Sequence, residues 1–529
     1  MVAHSGLSVG VVGAGPGGLA VAMLLAASGA RVEIYEAMDR IGGRTSRLSL
    51  GEYHFDSGPT FFLMPYVLEE VFAATGRRLK DFCDLTRLDP MYRLVMGREG
   101  QPDLTIDCTQ DVAEMSRRLA KIDPRDGAAF ARFMSDNRKK LNAFEPVLRK
   151  PWRSFTDFMD ADLVRAGPYL SPTKSVHDWL GGYFKSPYSK LAMSFQSKYL
   201  GMSPFSCPSL FTILPFIEYE YGVWHPRGGC NALMHAMSEA CLQMGVKIHT
   251  SSPVQRLSFD GSRVRGLVVN GREHAHDHVV MNADASWAIQ NLIPPHLRRS
   301  WTDTKLTKMD YSCSTSMLYL GVRGQINLPH HTICIARNYE QNIREIAEKL
   351  TLSDDPSIYV CNPSAIDPTL APAGDSSVYV LVPTPNNRSG IDWKDSSPTG
   401  AAALTRTRAL DKLSSLIGED IRPRIAREMA VTPADWQSQN IALGATFNLA
   451  HGLMQMLCFR PQHELPDVEN VWLVGGGTHP GSGLPVIFLS SQITARLLAQ
   501  RMNLTYAGDR PPSVTPRVRP EPEHAIAAP

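Results

Sequence analysis

Residues Leu7–Glu36 read LSVGVV, GAGPGG, LAVAMLLAASGA and RVEIYE. The first run is short and β-rich, the second is a turn suited to glycine, the third favours helix, and Arg31–Glu36 alternates apolar with polar. The stretch predicts strand, tight turn, helix, strand, which is one βαβ unit of an α/β fold. Gly13, Gly15 and Gly18 stand as G-x-G-x-x-G where strand gives way to helix. The first permits the tight turn, the second lets a pyrophosphate approach the backbone, and the third lets helix pack on strand. The helix N-terminus attracts the phosphates. Glu36 ends the next strand, 18 residues beyond Gly18. An acid there accepts hydrogen bonds from the ribose hydroxyls of an adenosine and repels a 2′-phosphate.

Outward from this unit, residues 68–170 show weaker helical periods and denser charge, which predicts an inserted, mainly helical subdomain. β character returns over residues 246–280, with strands expected to rejoin a central sheet, and again over 309–320 and 357–382. Residues 399–416 read as helix. Near the C-terminus NVWLVGGGTHPGSGLP followed by VIFLSSQITARLLAQRM repeats the strand, glycine turn, helix logic. The expected division is a discontinuous nucleotide domain (1–67, 225–300, 465–505), a helical insertion (68–175), a substrate domain (176–224, 301–464) and a disordered tail (506–529). The last 19 residues hold six prolines, a composition that does not join a core.

Composition narrows the class. The chain has 529 residues, 43% hydrophobic and 20% charged, enough for a large core, and its net charge of +2 leaves no overall electrostatic footprint for nucleic acid. Nine cysteines lie far apart with no C-x-x-C pair, so neither a zinc site nor a disulfide framework is expected, and no metal is predicted. No Lys or Arg precedes Arg31, so a secretory leader lacks its basic segment and a reducing, cytoplasmic compartment is expected. Residues 13–30 and 199–217 carry no charge, but glycines crowd one end of the first, and Pro204, Pro208 and Pro215 break the second. No membrane span is predicted.

After Glu36 comes Ala37-Met38-Asp39-Arg40-Ile41-Gly42-Gly43-Arg44, a basic diglycine turn. It resembles the flavoprotein superfamily of amine oxidases and carotenoid desaturases, in which this turn lies along the FAD pyrophosphate and flavin ring. FDSGPT (55–60), YLGMSPF (199–205), GVWHPRGG (222–229) and VGGGTHPGSGLP (474–485) then follow in the order seen in bacterial phytoene desaturases. The likeness runs from about residue 7 to residue 500. It implies a Rossmann-like FAD domain with a mixed-sheet substrate domain. It implies that Arg44 supplies positive charge to the cofactor, that Val254 marks where backbone holds the adenine, and that Gly475–Gly477 approach the ribityl chain. Thr478 stands where many relatives have an acid. The helix beginning near Pro485 would aim its positive end at the flavin.

The activity implied is FAD-dependent desaturation of an acyclic isoprenoid, either phytoene or a C30 counterpart. Such a reaction needs a proton acceptor, and Asp157, Glu218, His225 and His479 are the candidates. Asp157 sits in the apolar run SFTDFMD, Glu218 and His225 flank the segment between two motifs, and His479 lies among glycines expected at the flavin. A lipophilic substrate implies contact with a membrane surface. The mixture of Trp152, Phe155, Phe158 and Met159 with Arg149, Lys150 and Arg153 suits peripheral attachment to the inner membrane. PSLFTILPFI (208–217) reads either as core or as the lining of a lipophilic tunnel. Isomerisation or oxygenation of a carotenoid, amine oxidation and non-catalytic prenyl-lipid escort remain open alternatives, as does the oligomeric state.

Overall fold

The computed structural model describes residues 6–98 and 100–510. Its first sheet has five parallel strands, in the order Val471–Leu473, His278–Met281, Ser8–Val12, Arg31–Tyr35, Lys247–His249. Ser8–Val12 is central and buried at every position, which explains its nearly continuous apolar sequence. The helix Pro16–Ala27 is buried from Gly17 through Ala26. A helix apolar on all sides needs cover on all sides, and it packs between the helices Leu484–Arg501 and Asn231–Gln243. The uncharged stretch 13–30 therefore lies in the core of the fold. Among the described residues no helix is long and apolar enough to cross a membrane.

The second large sheet has seven strands in the order Ile425–Val431, Ser314–Val322, Ser376–Thr384, Ile358–Cys361, His331–Ile335, Tyr92–Met96, Leu104–Cys108. His331–Ile335 and Tyr92–Met96 run parallel and the other neighbours antiparallel. Two of these strands come from residues 92–108, inside the stretch expected to be helical. Leu104–Cys108 alternates apolar with polar and Tyr92–Met96 is apolar but for Arg93, short runs set among charged loops. The helical part begins later, with Val112–Ala120, the 25-residue Pro124–Leu148 and Ala161–Leu170. Asp111, Asp123 and Asp160 cap these helices by accepting first-turn N–H bonds.

The run 208–217 is mostly core: Ile213–Tyr221 is a helix that buries Ile213, Phe216 and Ile217. The tail also departs from expectation at its start. Tyr506 and Ala507 are buried, and the Ala507 N–H donates to Ser28 Oγ at 2.9 Å. The proline-rich residues 511–529 lie outside the described residues.

Candidate functional site

The glycine turn is built for close approach. Gly13 has φ +96°, and a Cβ at Gly18 would overlap the Gly13 carbonyl oxygen. Gly15 is the N-cap of the first helix with no side-chain cap, so the first-turn N–H groups stay available to a ligand. Glu36 is 6% exposed, and its two oxygens accept from the Ala14 N–H at 2.7 Å and the Met38 N–H at 2.9 Å. The Ser252 N–H donates to the Glu36 carbonyl at 2.7 Å, which sets Val254, two residues on and 8% exposed, beside this corner. The Gly42 N–H donates to the Ala14 carbonyl at 2.9 Å, so the diglycine turn closes directly over the first loop. Arg44 follows, and its guanidinium donates to the Thr446 carbonyl at 2.9 Å and Asn448 Oδ1 at 3.0 Å.

The C-terminal glycines complete the cradle. Gly475 has φ +111°, and a Cβ at Gly476 or Gly477 would stand 2.6 Å from Asn448 Nδ2 or Ala285 Cβ. The Thr478 hydroxyl is buried and has no hydrogen-bond partner among the described residues. Gly483 caps the helix Leu484–Arg501 without a side chain, and Pro485 lies in its first turn. Two uncapped helix N-termini thus face one cradle, since a Cβ at Gly17 in the first helix would lie 3.2 Å from Ile487 Cγ2 in the second. Exposed N–H groups, glycine-lined approach and an orphaned buried hydroxyl fit a flavin dinucleotide.

Several residues the sequence reading did not assign hold this cradle together. Asn282 donates to the Gly13 carbonyl at 3.1 Å and lies beneath Gly15, Gly17 and Gly475. Asp284, two residues on, caps the helix Ala285–Leu292, and its negative charge faces Arg44 and Arg460. Burial pushes the Arg460 guanidinium down to about 9, and it donates to the Gly476 carbonyl at 2.8 Å. Asp56 accepts from the Cys230 and Asn231 N–H groups, both at 2.8 Å, joining FDSGPT to the PRGG turn. The signals lay in HVVMNAD (278–284), where Asn282 and Asp284 follow the strand His278–Met281, and in FDSGPT, where Asp56 ends the strand Tyr53–Asp56.

The four acid–base candidates separate. Asp157 is the N3 residue of a capping box in the turn Phe155–Met159, where its Oδ2 accepts from the Arg153 and Ser154 N–H groups at 2.6 and 2.9 Å. It is a surface cap, because a carboxylate beside free N–H groups is held there by them. Glu218 is fully buried, and burial pushes its carboxyl up to about 7 against hydrogen bonds from Gln196 at 3.0 Å and Tyr92 at 2.9 Å. His225 is 4% exposed and pairs with Asp367 at 3.1 Å. His479 is buried with neither ring nitrogen partnered among the described residues, and burial holds it down to about 3, so it is neutral at physiological pH. Trp152, expected at a surface, is 1% exposed and donates to the Val147 carbonyl at 2.9 Å. Arg149 pairs with Glu70 and Glu145, and Lys150 with Asp160 and Asp162.

Comparison with known proteins agrees with the cradle. The flavin containing amine oxidoreductase family matches residues 16–499. The chain is 42% identical over 499 residues to a 4,4′-diapophytoene desaturase (4,4′-diapolycopene-forming) from Methylomonas sp, covering 94% of this chain and 96% of that one. It is 36% identical to an all-trans-zeta-carotene desaturase from Myxococcus xanthus, covering 98% and 97%. An oxidoreductase from Methanosarcina mazei shares the fold with TM-score 0.60 at 15% identity, over 92% of this chain and 99% of that one. The chain belongs to the flavin-containing amine oxidoreductase family, among its carotenoid desaturases.

Proposed function

We propose that this chain is an FAD-dependent desaturase of acyclic carotenoid precursors, of either the C30 or the C40 class. The observation that carries the reading is the glycine-lined cradle closed by Gly42-Gly43-Arg44 and Gly475–Gly477, in a chain 42% identical to a diapophytoene desaturase over nearly its whole length. Gly15 and the first helical turn would hold the pyrophosphate, Glu36 the adenosine ribose, and the turn at Pro485 the flavin edge. Flavin supplies the hydride acceptor when bound. The protein orients a hydrocarbon that has no polar handle, excludes water and takes the proton. Glu218 is the sequence-expected acceptor that fits best, since a carboxyl near neutrality both takes and releases a proton at physiological pH. The test is to supply the FAD-loaded protein in lipid vesicles with C30 and C40 acyclic precursors and follow the visible absorption of lengthened polyenes. No new absorption from either defeats the reading.

A second part of the proposal concerns access to substrate. Phe155, Met159 and Val164 of the helical region are 71%, 82% and 59% exposed, and Leu453 and Met454 are 48% and 70% exposed. The Phe155 and Phe158 rings stand 5.3 and 6.1 Å from Phe459, which brings the two segments together as one apolar rim. A monomer keeps such a rim bare only where lipid or a partner covers it, and a hydrocarbon substrate resides in lipid. We assign the rim to reversible docking on a membrane surface, without Trp152 and without the paired Arg149 and Lys150.

A further inference from the structure

Against the seven-stranded sheet, buried polar side chains outside the nucleotide cradle form one hydrogen-bonded line. Asp367 is 3% exposed and accepts from His225 Nε2 at 3.1 Å, the Gly228 N–H at 2.6 Å, the Thr369 N–H at 3.1 Å and Thr369 Oγ1 at 2.6 Å. Burial opposes its charge, but these donors prevail and hold the carboxyl well below its ordinary range. An ionised acceptor at one end sets His225 as the Nε2–H tautomer, and neutral imidazoles beyond it pair by alternating donor and acceptor nitrogens. His225 carries its proton on Nε2, so its bare Nδ1 accepts from His330 Nε2–H at 3.0 Å. The bare His330 Nδ1 then accepts from His331 Nδ1–H at 3.3 Å. This leaves His331 Nε2 as a buried lone pair, with no partner among the described residues. Tyr359, whose hydroxyl is 2.5 Å from His331 Nδ1, accepts there and passes its own proton toward Thr60 Oγ1 at 2.6 Å.

The line ends against an aromatic ring. Phe61 stacks on the His331 ring at 4.1 Å and 15°, and tilts against Tyr92 and Tyr199 of the Glu218 cluster at 6.1 and 5.3 Å. Phe61 follows Thr60 in the segment whose Ser57 Oγ donates to the Arg44 carbonyl at 3.0 Å, so it is tied to the flavin turn. Two acid–base clusters therefore flank one aromatic ring.

We propose that Asp367, His225, His330 and His331 form a second proton acceptor for desaturation, loaded at His331 Nε2. The proposal rests on the desaturase reading. In that reaction hydride leaves one carbon for the flavin, the neighbouring C–H electron pair becomes the new π bond, and its proton goes to His331 Nε2. The Nδ1 proton of His331 then moves to His330 Nδ1, and the Nε2 proton of His330 moves to His225 Nδ1. Each hop breaks one N–H bond and forms another, and the positive charge comes to rest on His225 against the Asp367 carboxylate. Burial, then the neighbouring imidazoles, hold His330 and His331 well below the usual histidine value, so the charge does not rest on them. The other ionisable groups facing the line are Asp56, Cys361, Tyr359 and Tyr379. Of these only Asp56, pushed up to about 6 by burial, titrates near neutrality. His225, His330 and Asp367 are positioning residues for the proton that His331 receives.

The experiment has two arms. Nitrogen-15 histidine NMR of the FAD-loaded protein, assigned with His225→Gln, His330→Gln and His331→Gln, reads tautomers without turnover. The expected pattern is Nε2–H on His225 and His330 and Nδ1–H on His331. In the kinetic arm, Asp367→Asn and His225→Gln should keep FAD content and KM while kcat falls at least about tenfold at pH 7 and its pH profile shifts. Cys361→Ser, which touches the cluster but carries none of the protons, should match the parent. The Nε2–H tautomer on His331 or stoichiometric bound zinc would overturn the line itself. FAD-loaded Asp367→Asn and His225→Gln with the parent's kcat and pH profile would overturn its proton role. A parent chain that desaturates neither C30 nor C40 precursors, with the tautomers as drawn, overturns that role through the desaturase reading beneath it.

Discussion

Gly15 and Gly18 look alike in the fingerprint but should fail differently when a side chain is added. Gly15 has φ −77° and ψ 178°, an extended conformation open to any residue. A Cβ there would lie 3.1 Å from Asn282 Nδ2 and 3.9 Å from the Gly42 carbonyl, contacts the loop can accommodate. Gly15→Ala also restricts the unfolded chain, worth about 0.4–1 kcal/mol in favour of folding, so the apoprotein should stay within about 1 kcal/mol of the parent. Gly15→Val adds two methyls in the gap between the first loop and the Gly42-Gly43 turn, where a pyrophosphate would lie. Displacing it forfeits charge-assisted bonds of about 1.5–3 kcal/mol each, so losing two weakens FAD binding roughly 150- to 25,000-fold. Gly18→Ala instead drives its Cβ into the Gly13 carbonyl and to 2.9 Å from Asn282 Nδ2. That strain should cost about 1–3 kcal/mol of stability even without cofactor. Calorimetric titration of apoprotein with FAD and thermal melts of the same samples separate the two effects. Gly15→Val protein that binds FAD as tightly as the parent would refute the reasoning, and so would Gly18→Ala apoprotein that melts at the parent's temperature.

Glu218 supplies a pH test with a definite sign. Its folded carboxyl titrates at about 7 against 4.5 for the free group, so the folded state binds more protons between those values. Stability therefore falls as pH rises from about 4.5 through 7, by about 3 kcal/mol if this group acts alone, and Glu218→Gln should flatten that slope in denaturant titrations. If the carboxylate takes the proton, kcat rises with pH through about 7 in the parent and loses that limb in Glu218→Gln; an unchanged profile removes Glu218 from the chemistry. Met159→Glu with Met454→Glu should weaken cosedimentation with liposomes at least about tenfold, since each exposed side chain contributes roughly 1.5–3 kcal/mol when buried in lipid, while FAD content stays the same. Undiminished cosedimentation would move the docking surface elsewhere.

The nucleotide half of the fold was legible because its determinants are local. A strand, a glycine turn and a terminal acid must follow one another within about 30 residues for the βαβ unit to close on a dinucleotide. The strands at 92–108 were not legible, because Tyr92–Met96 takes its place in the sheet by pairing with His331–Ile335, more than 200 residues away, and Leu104–Cys108 is the edge strand laid against it. Trp152 misled for a related reason. Aromatic and basic residues side by side read as an interface, whereas the fold buries Trp152 against the end of the helix Pro124–Leu148; Asp157, read as an acid–base candidate from its apolar run, caps the next turn.

The separated motifs are joined by hydrogen bonds that no single motif contains. Asp56 of FDSGPT accepts from the residues that follow the PRGG turn, and Asn231 Nδ2 donates to the Thr45 carbonyl at 2.9 Å, beside Arg44. The turn over the cofactor, the segment carrying Thr60 and Phe61, and the strand carrying His225 are thus one mechanical unit. His225 takes its chemical meaning from Asp367, 142 residues later, and from His330, 105 residues later. A lone histidine in GVWHPRGG offers no clue to tautomer or direction. With the carboxylate at the far end ionised, His225 presents its bare Nδ1 to His330, and the line runs on to His331, whose Nε2 has no partner among the described residues and whose ring face Phe61 covers.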